Sequence, residues 1–349
     1  MRTSDLAGNA LLGTSSRFLR PEPTVEELLV RPDRNHKMRN AVVFATNKKC
    51  FELARHAATS FILTQSQFQD VYIFCHTLLP NPKDRLIKVG EEYGIRVHME
   101  PISDPYFEKL HSVGYLRKIV QHLKLKSLET ISHAYDRVLF VDCDILFYEQ
   151  ISLDKVDLKG FPIGATYDIA VSSGITGPDF LQNCRKNNRS PHYFNSGFML
   201  FDCARWDGNS REKYIELLNK HQVTCDYLGE CPHNDQCIYN LLFENNWKKL
   251  PLNFNMQACA KFTDRWTEAP VRHYQGDNKF LPARPWRADA REILLMRRIR
   301  EALGYNDFWH LPLSIMFRLN RLRNRRNAER TNQAIAQLEQ MYSQPNAML

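Results

Sequence analysis

Two aspartates, Asp142 and Asp144, close the most strongly apolar run of this 349-residue chain, Arg137-Val-Leu-Phe-Val-Asp142. Residues at i and i+2 of an extended chain share a side. The pair therefore concentrates negative charge, and partly buried carboxylates repel each other. A divalent cation removes that repulsion. Hard oxygen donors suit Mg²⁺ or Mn²⁺, ions that commonly bridge carboxylates to substrate phosphates. The plain alternative is one helix cap and one ion pair. The position favours the metal reading, because ligands of open α/β sheets bind beyond the carboxyl ends of the strands.

Other chemistries lack their residues. No Gly-x-Gly-x-x-Gly follows the first apolar run and no Gly-Lys-Ser/Thr phosphate loop is present, which excludes the common dinucleotide and P-loop designs. A Gly-x-Ser-x-Gly nucleophile elbow is also missing. The nine cysteines are odd in number and include no Cys-x-x-Cys pair. They read as reduced, mostly apolar fillers rather than a disulfide framework. Cys225, Cys231 and Cys237 stand six residues apart, a spacing that matches no zinc motif, so a zinc site is not expected.

The elements that must position the aspartates are legible from apolar periodicity. Strands are expected over Asn40–Asn47, Val71–Cys75, Ile95–Met99, 137–142, Ile163–Tyr167 and Phe198–Phe201. A turn is expected at Pro80-Asn-Pro82. Helices are expected over Cys50–Ile62, Asp84–Tyr93, Phe107–Ser132, Arg211–Lys220 and Asp235–Glu244. Residues 250–286 read as irregular and 287–349 as helical. The alternation of strands and helices predicts an α/β fold with a mostly parallel sheet flanked by helices. Residues 1–38 read as a polar N-terminal arm with a short helix over Val25–Val30, and they lack the uninterrupted apolar centre of a secretory signal.

The charge is uneven. The chain carries +8 overall, and residues 291–330 hold ten arginines against four acidic residues, a surplus of six. This marks 291–349 as a basic, helical C-terminal appendage beside a catalytic domain over 39–290. The mixture Leu311-Pro-Leu-Ser-Ile-Met-Phe-Arg-Leu-Asn-Arg-Leu-Arg predicts attraction to an anionic lipid surface. No recognition motif accompanies the charge, so no nucleic-acid partner is expected. The expected location is cytoplasmic, with peripheral attachment to the inner face of the cytoplasmic membrane.

Five segments occur in one order: VLFVDCDILF, YFNSGFMLFD (193–202), HNDQCIYN (233–240), LPLNFNMQ (250–257) and RHYQGDNKF (272–280). Together they resemble glycosyltransferase family 8, which includes lipopolysaccharide galactosyl- and glucosyltransferases and glycogenin, across roughly residues 40–286. The resemblance implies the GT-A nucleotide-diphospho-sugar transferase fold, a UDP-sugar donor, Mn²⁺ and retention at the anomeric carbon. It assigns Asp142, Asp144 and His273 to the metal, with Asp144 also beside the donor ribose. Gly276 and Lys279 fall to the diphosphate, Ala45, Thr46 and Asn47 to uracil and ribose, and Arg117 to sugar and phosphate. Asn195 and Ser196 match a turn beside the sugar. Asp235 and Gln236 match the pair beneath the anomeric carbon, and Asp168 matches a sugar- or acceptor-side carboxylate.

The sequence departs from the family pattern in places. Asn47 stands where an acidic residue is usual, which bears on uracil recognition. Cys143 replaces a small or aliphatic residue between the metal aspartates. The closing Lys-Pro-Trp is split, with Lys279 six residues ahead of Pro285-Trp286. The expected reaction is hexose transfer from a UDP-sugar to a glycan or lipid-linked acceptor such as lipopolysaccharide. A glycogenin-like enzyme that glucosylates itself and a binder of nucleotide sugars without turnover are the alternatives. Trp206, Trp247 and Phe254 are expected in the core rather than as sugar platforms.

Overall fold

A computed structural model of the chain describes residues 38–78, 81–112, 119–175, 179–206, 209–221, 224–228, 231, 234–276, 279–280, 288–306 and 314–343. The expected N-terminal arm lies outside these residues except for Met38, and so do part of the turn at Pro80 and the donor-contact candidate Arg117.

The first half of the chain runs β1 (Asn40–Asn47), α1 (Phe51–Ile62), β2 (Asp70–His76), α2 (Arg85–Glu92), β3 (Arg96–Pro101), α3 (Pro105–Ser112), α4 (Ile119–Ile131), β4 (Arg137–Val141), β5 (Ile145–Phe147), β6 (Ile163–Tyr167), α5 (Ile169–Ser172) and α6 (Phe180–Lys186). It continues through β7 (Phe194–Asp202), α7 (Ser210–His221), α8 (Asn234–Leu242), β8 (Lys248–Lys249), β9 (Met256–Gln257), α9 (Asp264–Glu268), β10 (Val271–His273), α10 (Ala290–Ala302), α11 (Ser314–Arg323) and α12 (Arg325–Ser343).

Seven strands form one sheet in the order β3-β2-β1-β4-β7-β6-β8, and β7 runs antiparallel to both of its neighbours. The other pairings are parallel, as the alternating pattern predicts. β4 lies between β1 and β7. Its Val138, Leu139, Phe140 and Val141 are all buried, which explains the unbroken apolar run: a central strand needs apolar residues on both faces. α1 packs beneath the sheet, where Phe61 meets Phe68 and Phe147 edge-on at 5.0 Å each. Each such buried ring contributes about 1.5–3 kcal/mol of burial free energy.

A second sheet, β5-β10-β9, was not expected from the sequence. Its strands have only two or three residues, too short for a periodic signal. It matters because the chain passes from one sheet to the other at Asp142-Cys143-Asp144. The Asp142 N–H donates to Gly197 O (2.8 Å) in the large sheet, and the Tyr274 N–H donates to Asp144 O (2.8 Å) in the small one. Between them the Ile145 N–H returns to Asp142 O at 3.2 Å. The two aspartates thus sit on a turn, not on the extended strand assumed from their spacing.

β7 is also longer than expected. It begins at Phe194, so Asn195 and Ser196 belong to a strand rather than a turn, beside an irregularity in the pairing with β6. Asn240 of α8 holds this end, its amide pairing with the Phe194 N–H and C=O at 2.8 Å each. Trp247 packs edge-on against Tyr167 (5.3 Å) as a core residue.

The C-terminal helices are seated on the fold. α10 buries Ile293, Met296 and Ile299 and packs against α1. α11 stacks Phe317 on Phe262 (5.9 Å), and α12 buries Ile335 and Leu338. No described helix is long and apolar enough to cross a membrane.

Candidate active site

A cleft of about 550 Å³ opens at the carboxyl ends of the parallel strands. Its walls include Asp142, Asp144, Asp168, Asn195, Ser196, Asp235, Gln236, His273, Gly276 and Lys279. Most of the residues assigned from the sequence therefore meet in one place. Ala45, Thr46 and Asn47 sit at the end of β1, one strand over. Cys143 turns towards them, its thiol donating to Ala45 O at 3.1 Å. The Asn47 side chain accepts from the Cys50 N–H (3.1 Å), which starts α1.

His273 is placed by β10, in register with Ile145 of β5. Its Nε2 lies 3.2 Å from Asp144 Oδ1 and 3.9 Å from Asp142 Oδ2. One donor atom from each of the three residues lies within 4.8 Å of the others. The ring's tautomer follows from a chain of hydrogen bonds. The Gly197 N–H, an unambiguous donor, reaches Asn195 Oδ1 at 3.1 Å. That atom must then accept from Asn255 Nδ2 (2.9 Å). Asn255 Oδ1 is left to accept from His273 Nδ1 (3.1 Å). With a proton on Nδ1, Nε2 is the ring nitrogen turned towards the two carboxylates: it donates to Asp144 in a protonated ring and offers a lone pair to a bound cation in a neutral one. This arrangement can take a cation among the three groups, and a carbonyl oxygen behind the ring is the usual support of a metal-bound histidine.

Gly197 leaves room for this cluster. A Cβ there would lie 2.4 Å from His273 Cε1 and 2.9 Å from Asp142 Oδ2. The donor set of two carboxylates and an imidazole suits a hard or borderline divalent ion, and the residues fit such a metal.

Lys124 is the residue that sequence reasoning missed. It lies in α4, 4% exposed, with Nζ 2.8 Å from Asp142 Oδ1, 3.3 Å from Asp235 Oδ2 and 3.2 Å from Ser196 O. Burial alone would lower its pKa, but Asp142 and Asp235 outweigh that and raise it, so the ammonium stays charged. The signal was a lysine on the buried face of a helix, among Leu123, Ser127 and Leu128. Asn255 was missed as well, since its role depends on a partner sixty residues away.

Lys279 forms an ion pair with Asp144. Burial would push the Asp144 carboxyl up, but His273 and Lys279 together hold it well below the usual carboxylate range. Among the described residues, four carboxylates (Asp142, Asp144, Asp168, Asp235) face two ammonium groups (Lys124, Lys279). The carboxylates outnumber the ammonium groups, which favours a bound cation.

The opposite wall is an amide network built on Asp168. Asn195 Nδ2 donates to Asp168 Oδ2 (3.1 Å) and Gln236 Oε1 (3.0 Å), and Gln236 Nε2 donates to the same Asp168 oxygen at 3.1 Å. The other oxygen of Asp168 caps α5 through the Val171 N–H (2.9 Å). Asp235 stands in the first turn of α8, where the helix dipole favours a carboxylate. Ser196 Oγ donates to it at 3.2 Å. Gly276 takes φ +61°, a left-handed conformation open to glycine, at the turn after β10.

Comparison with known proteins shows the fold and the family. The fold is that of the GT-A transferases: it superposes on the galactosyltransferase LgtC, solved with donor and acceptor sugar analogues, with a TM-score of 0.55 at 19% identity, covering 76% of this chain and 95% of that one. It superposes on the bifunctional glycosyltransferase WbbM with a TM-score of 0.56 at 17% identity, covering 81% of this chain and 52% of that one. By sequence the chain is 25% identical over 260 residues to the glycosyltransferase GlyF of Streptococcus pneumoniae serotype 4 (strain ATCC BAA-334 / TIGR4), covering 71% of this chain and 58% of that relative. It is 23% identical over 213 residues to general stress protein A of Bacillus subtilis (strain 168), covering 59% of this chain and 70% of that protein. The sequence model of glycosyl transferase family 8 matches residues 41–290, well over half of the chain, and the chain belongs to that family.

Proposed function

We propose that this protein transfers a hexose, glucose or galactose, from a UDP-sugar to a glycan acceptor such as lipopolysaccharide or another surface polysaccharide, with retention of configuration. The observation that carries this reading is the convergence of Asp142, Asp144 and His273 Nε2 in a cleft at the strand ends. These three would hold Mn²⁺ or Mg²⁺, and the bound ion supplies charge stabilisation for a departing diphosphate. Residues 39–290 are the catalytic domain in this reading, and 291–349 the appendage.

The chain's own groups have separable tasks. Lys279, 37% exposed at the side chain and paired with Asp144, would exchange that partner for diphosphate oxygens as their charge grows, which stabilises the transition state more than the ground state. Gly276 would offer its backbone N–H to the same group. Ala45, Thr46 and Asn47 would hold uracil and ribose, with Arg117 approaching the sugar. Asn195, Asp235 and Gln236 would orient the hexose as it becomes oxocarbenium-like.

Both inner carboxylates are already committed. Asp235 Oδ2 is held by Lys124 and Ser196, and Asp168 Oδ2 accepts from two amides. A carboxylate so tied is a poor nucleophile, which supports attack by the acceptor from the face that the diphosphate leaves.

The basic surface of α11 supports an anionic membrane as partner. Leu319 and Leu322 are 45% and 70% exposed between Arg318 and Arg323, at the expected cytoplasmic face. Flotation on acidic phospholipid vesicles should weaken in a Leu319→Ser/Leu322→Ser variant. Equal flotation of both proteins would remove the membrane from the proposal.

UDP release over a panel of UDP-sugars tests the reaction. Release with one or two UDP-hexoses, lost with EDTA and regained with Mn²⁺, is the expected result. Calorimetry that detects no UDP binding in the presence of Mn²⁺ would sink it.

A further inference from the structure

The connection between α7 and α8 gathers a second set of ligating side chains, about which the transferase reading says nothing. They are His221 at the end of α7, Cys225 and Cys231 in the connection, and Cys237 in α8. One donor atom from each lies within 4.8 Å of all the others. Cys225 Sγ is 3.8 Å from Cys237 Sγ, and Cys231 Sγ is 3.3 Å from it. Zinc–sulfur bonds of about 2.3 Å at tetrahedral corners place sulfurs about 3.8 Å apart.

Two further observations point to a bound ion. The first is an orphaned polar atom. His221 is 6% exposed, and its Nε2 is buried without a hydrogen-bond partner, a state that is costly unless something else satisfies the ring. The second is the hydrogen bonding at sulfur. The Leu228 N–H donates to Cys225 Sγ at 3.3 Å, and the buried Tyr193 hydroxyl lies 3.0 Å from Cys237 Sγ. A thiol sulfur is a weak acceptor, whereas metal-bound thiolates are regularly supported by such donors.

The surroundings are dry. Val171, Phe180, Cys184, Tyr193 and Tyr227 form a small apolar core around the cluster, apart from the main one. Four protein donors in an apolar shell make a closed site, the structural rather than the catalytic kind.

We propose that His221, Cys225, Cys231 and Cys237 bind a structural zinc ion. Its place gives it a purpose. Cys237 follows Asp235 and Gln236 directly, so the ion would clamp the first turn of α8 to the end of α7 and fix the two side chains beneath the sugar. Its thiolate ligands are soft donors that the oxygen-rich cleft does not share.

The test is the metal content of the full-length chain, purified from zinc-supplemented culture under reducing conditions. The expected result is a single zinc per chain that survives brief EDTA treatment. It should persist in an Asp142→Ala/Asp144→Ala variant and be lost in His221→Ala and Cys225→Ser variants. Should those two fail to fold, the wild-type protein stripped with a mercurial and refilled with Co²⁺ gives the same reading. Thiolate-to-cobalt charge-transfer absorption with tetrahedral ligand-field bands supports the site. Absence of zinc in every preparation, together with no such absorption on Co²⁺ titration, overturns it. So does peptide mapping that finds two of these cysteines joined in a disulfide. None of these readouts depends on turnover, so failure here leaves the transferase proposal standing.

Discussion

The two ligand clusters of this molecule are built in opposite ways. Asp142, Asp144 and His273 are hard or borderline donors on a solvent-open cleft, carried by the ends of β4 and β10 where two sheets meet. His221, Cys225, Cys231 and Cys237 are mostly soft donors in a small apolar core, carried by a loop and the helix ends beside it. An open oxygen-rich set leaves room for a substrate and lets a metal exchange, whereas a closed thiolate set leaves no position free. The difference teaches that ligand type and access, more than the number of ligands, separate a site for chemistry from a site for shape.

The largest expected effect comes from breaking the open cluster alone. Asp142→Ala/Asp144→Ala should lower the rate of UDP release by roughly 10³-fold or more, since both carboxylates act on the departing charge. Zinc content should stay close to wild type, because the two clusters share no residue; the melting temperature should fall, because Asp142 is one of the two partners of the buried Lys124 ammonium. A double variant that loses zinc along with activity would show that the two clusters are not independent.

Next is the buried cation that serves the open cluster. Lys124→Met removes the partner of Asp142 and Asp235, and breaking a buried pair costs on the order of 3–5 kcal/mol. Chemical denaturation should report that loss. Added Mn²⁺ should recover part of it, because the ion neutralises the same carboxylates. Full stability without metal would mean that Lys124 is not their counter-charge.

A sharper test touches the tautomer. Asn255→Ala removes the oxygen that holds the proton on His273 Nδ1. The Mn²⁺ concentration for half-maximal activity should rise roughly 10–100-fold, with activity restored at high Mn²⁺. Unchanged Mn²⁺ dependence would detach Asn255 from the metal.

The smallest expected effect lies in neither cluster. Glu292 of α10 is buried behind β10, and burial together with Asp289 pushes its carboxyl up to about 7, although Lys261 and Arg272 oppose the shift. A raised folded-state pKa means stability that is present at acid pH, below the unfolded value, and lost as pH rises through about 7. Glu292→Gln should therefore stabilise the protein at pH 8 by up to about 3 kcal/mol and by little near pH 4.5. A difference in melting temperature that does not vary with pH would refute the assignment.

How much was legible in the sequence varies from residue to residue. Val138–Val141 announced a central strand because burial on both faces demands an apolar run, and the end of that run located Asp142. The short strands β5 and β10 left no periodic trace, so the small sheet and the real conformation of Asp142-Cys143-Asp144 were invisible. Lys124 looked like any helical lysine. The Cys225, Cys231 and Cys237 spacing was set aside because it fits no local zinc pattern. His221, which α7 delivers from outside the cysteine run, leaves no trace in that spacing.

The sequence by itself determined the α/β alternation, the strand that ends in carboxylates and the ordered segments that mark the family, since these depend on local periodicity and on short residue strings. The tertiary structure decided what faces what. It set Nε2 of His273 beside two aspartates, gave Asp142 a buried lysine, and drew three cysteines and a histidine together around the turn into α8. Those contacts join residues far apart in the chain, and burial in a shared low-dielectric interior is what gives them their chemical meaning.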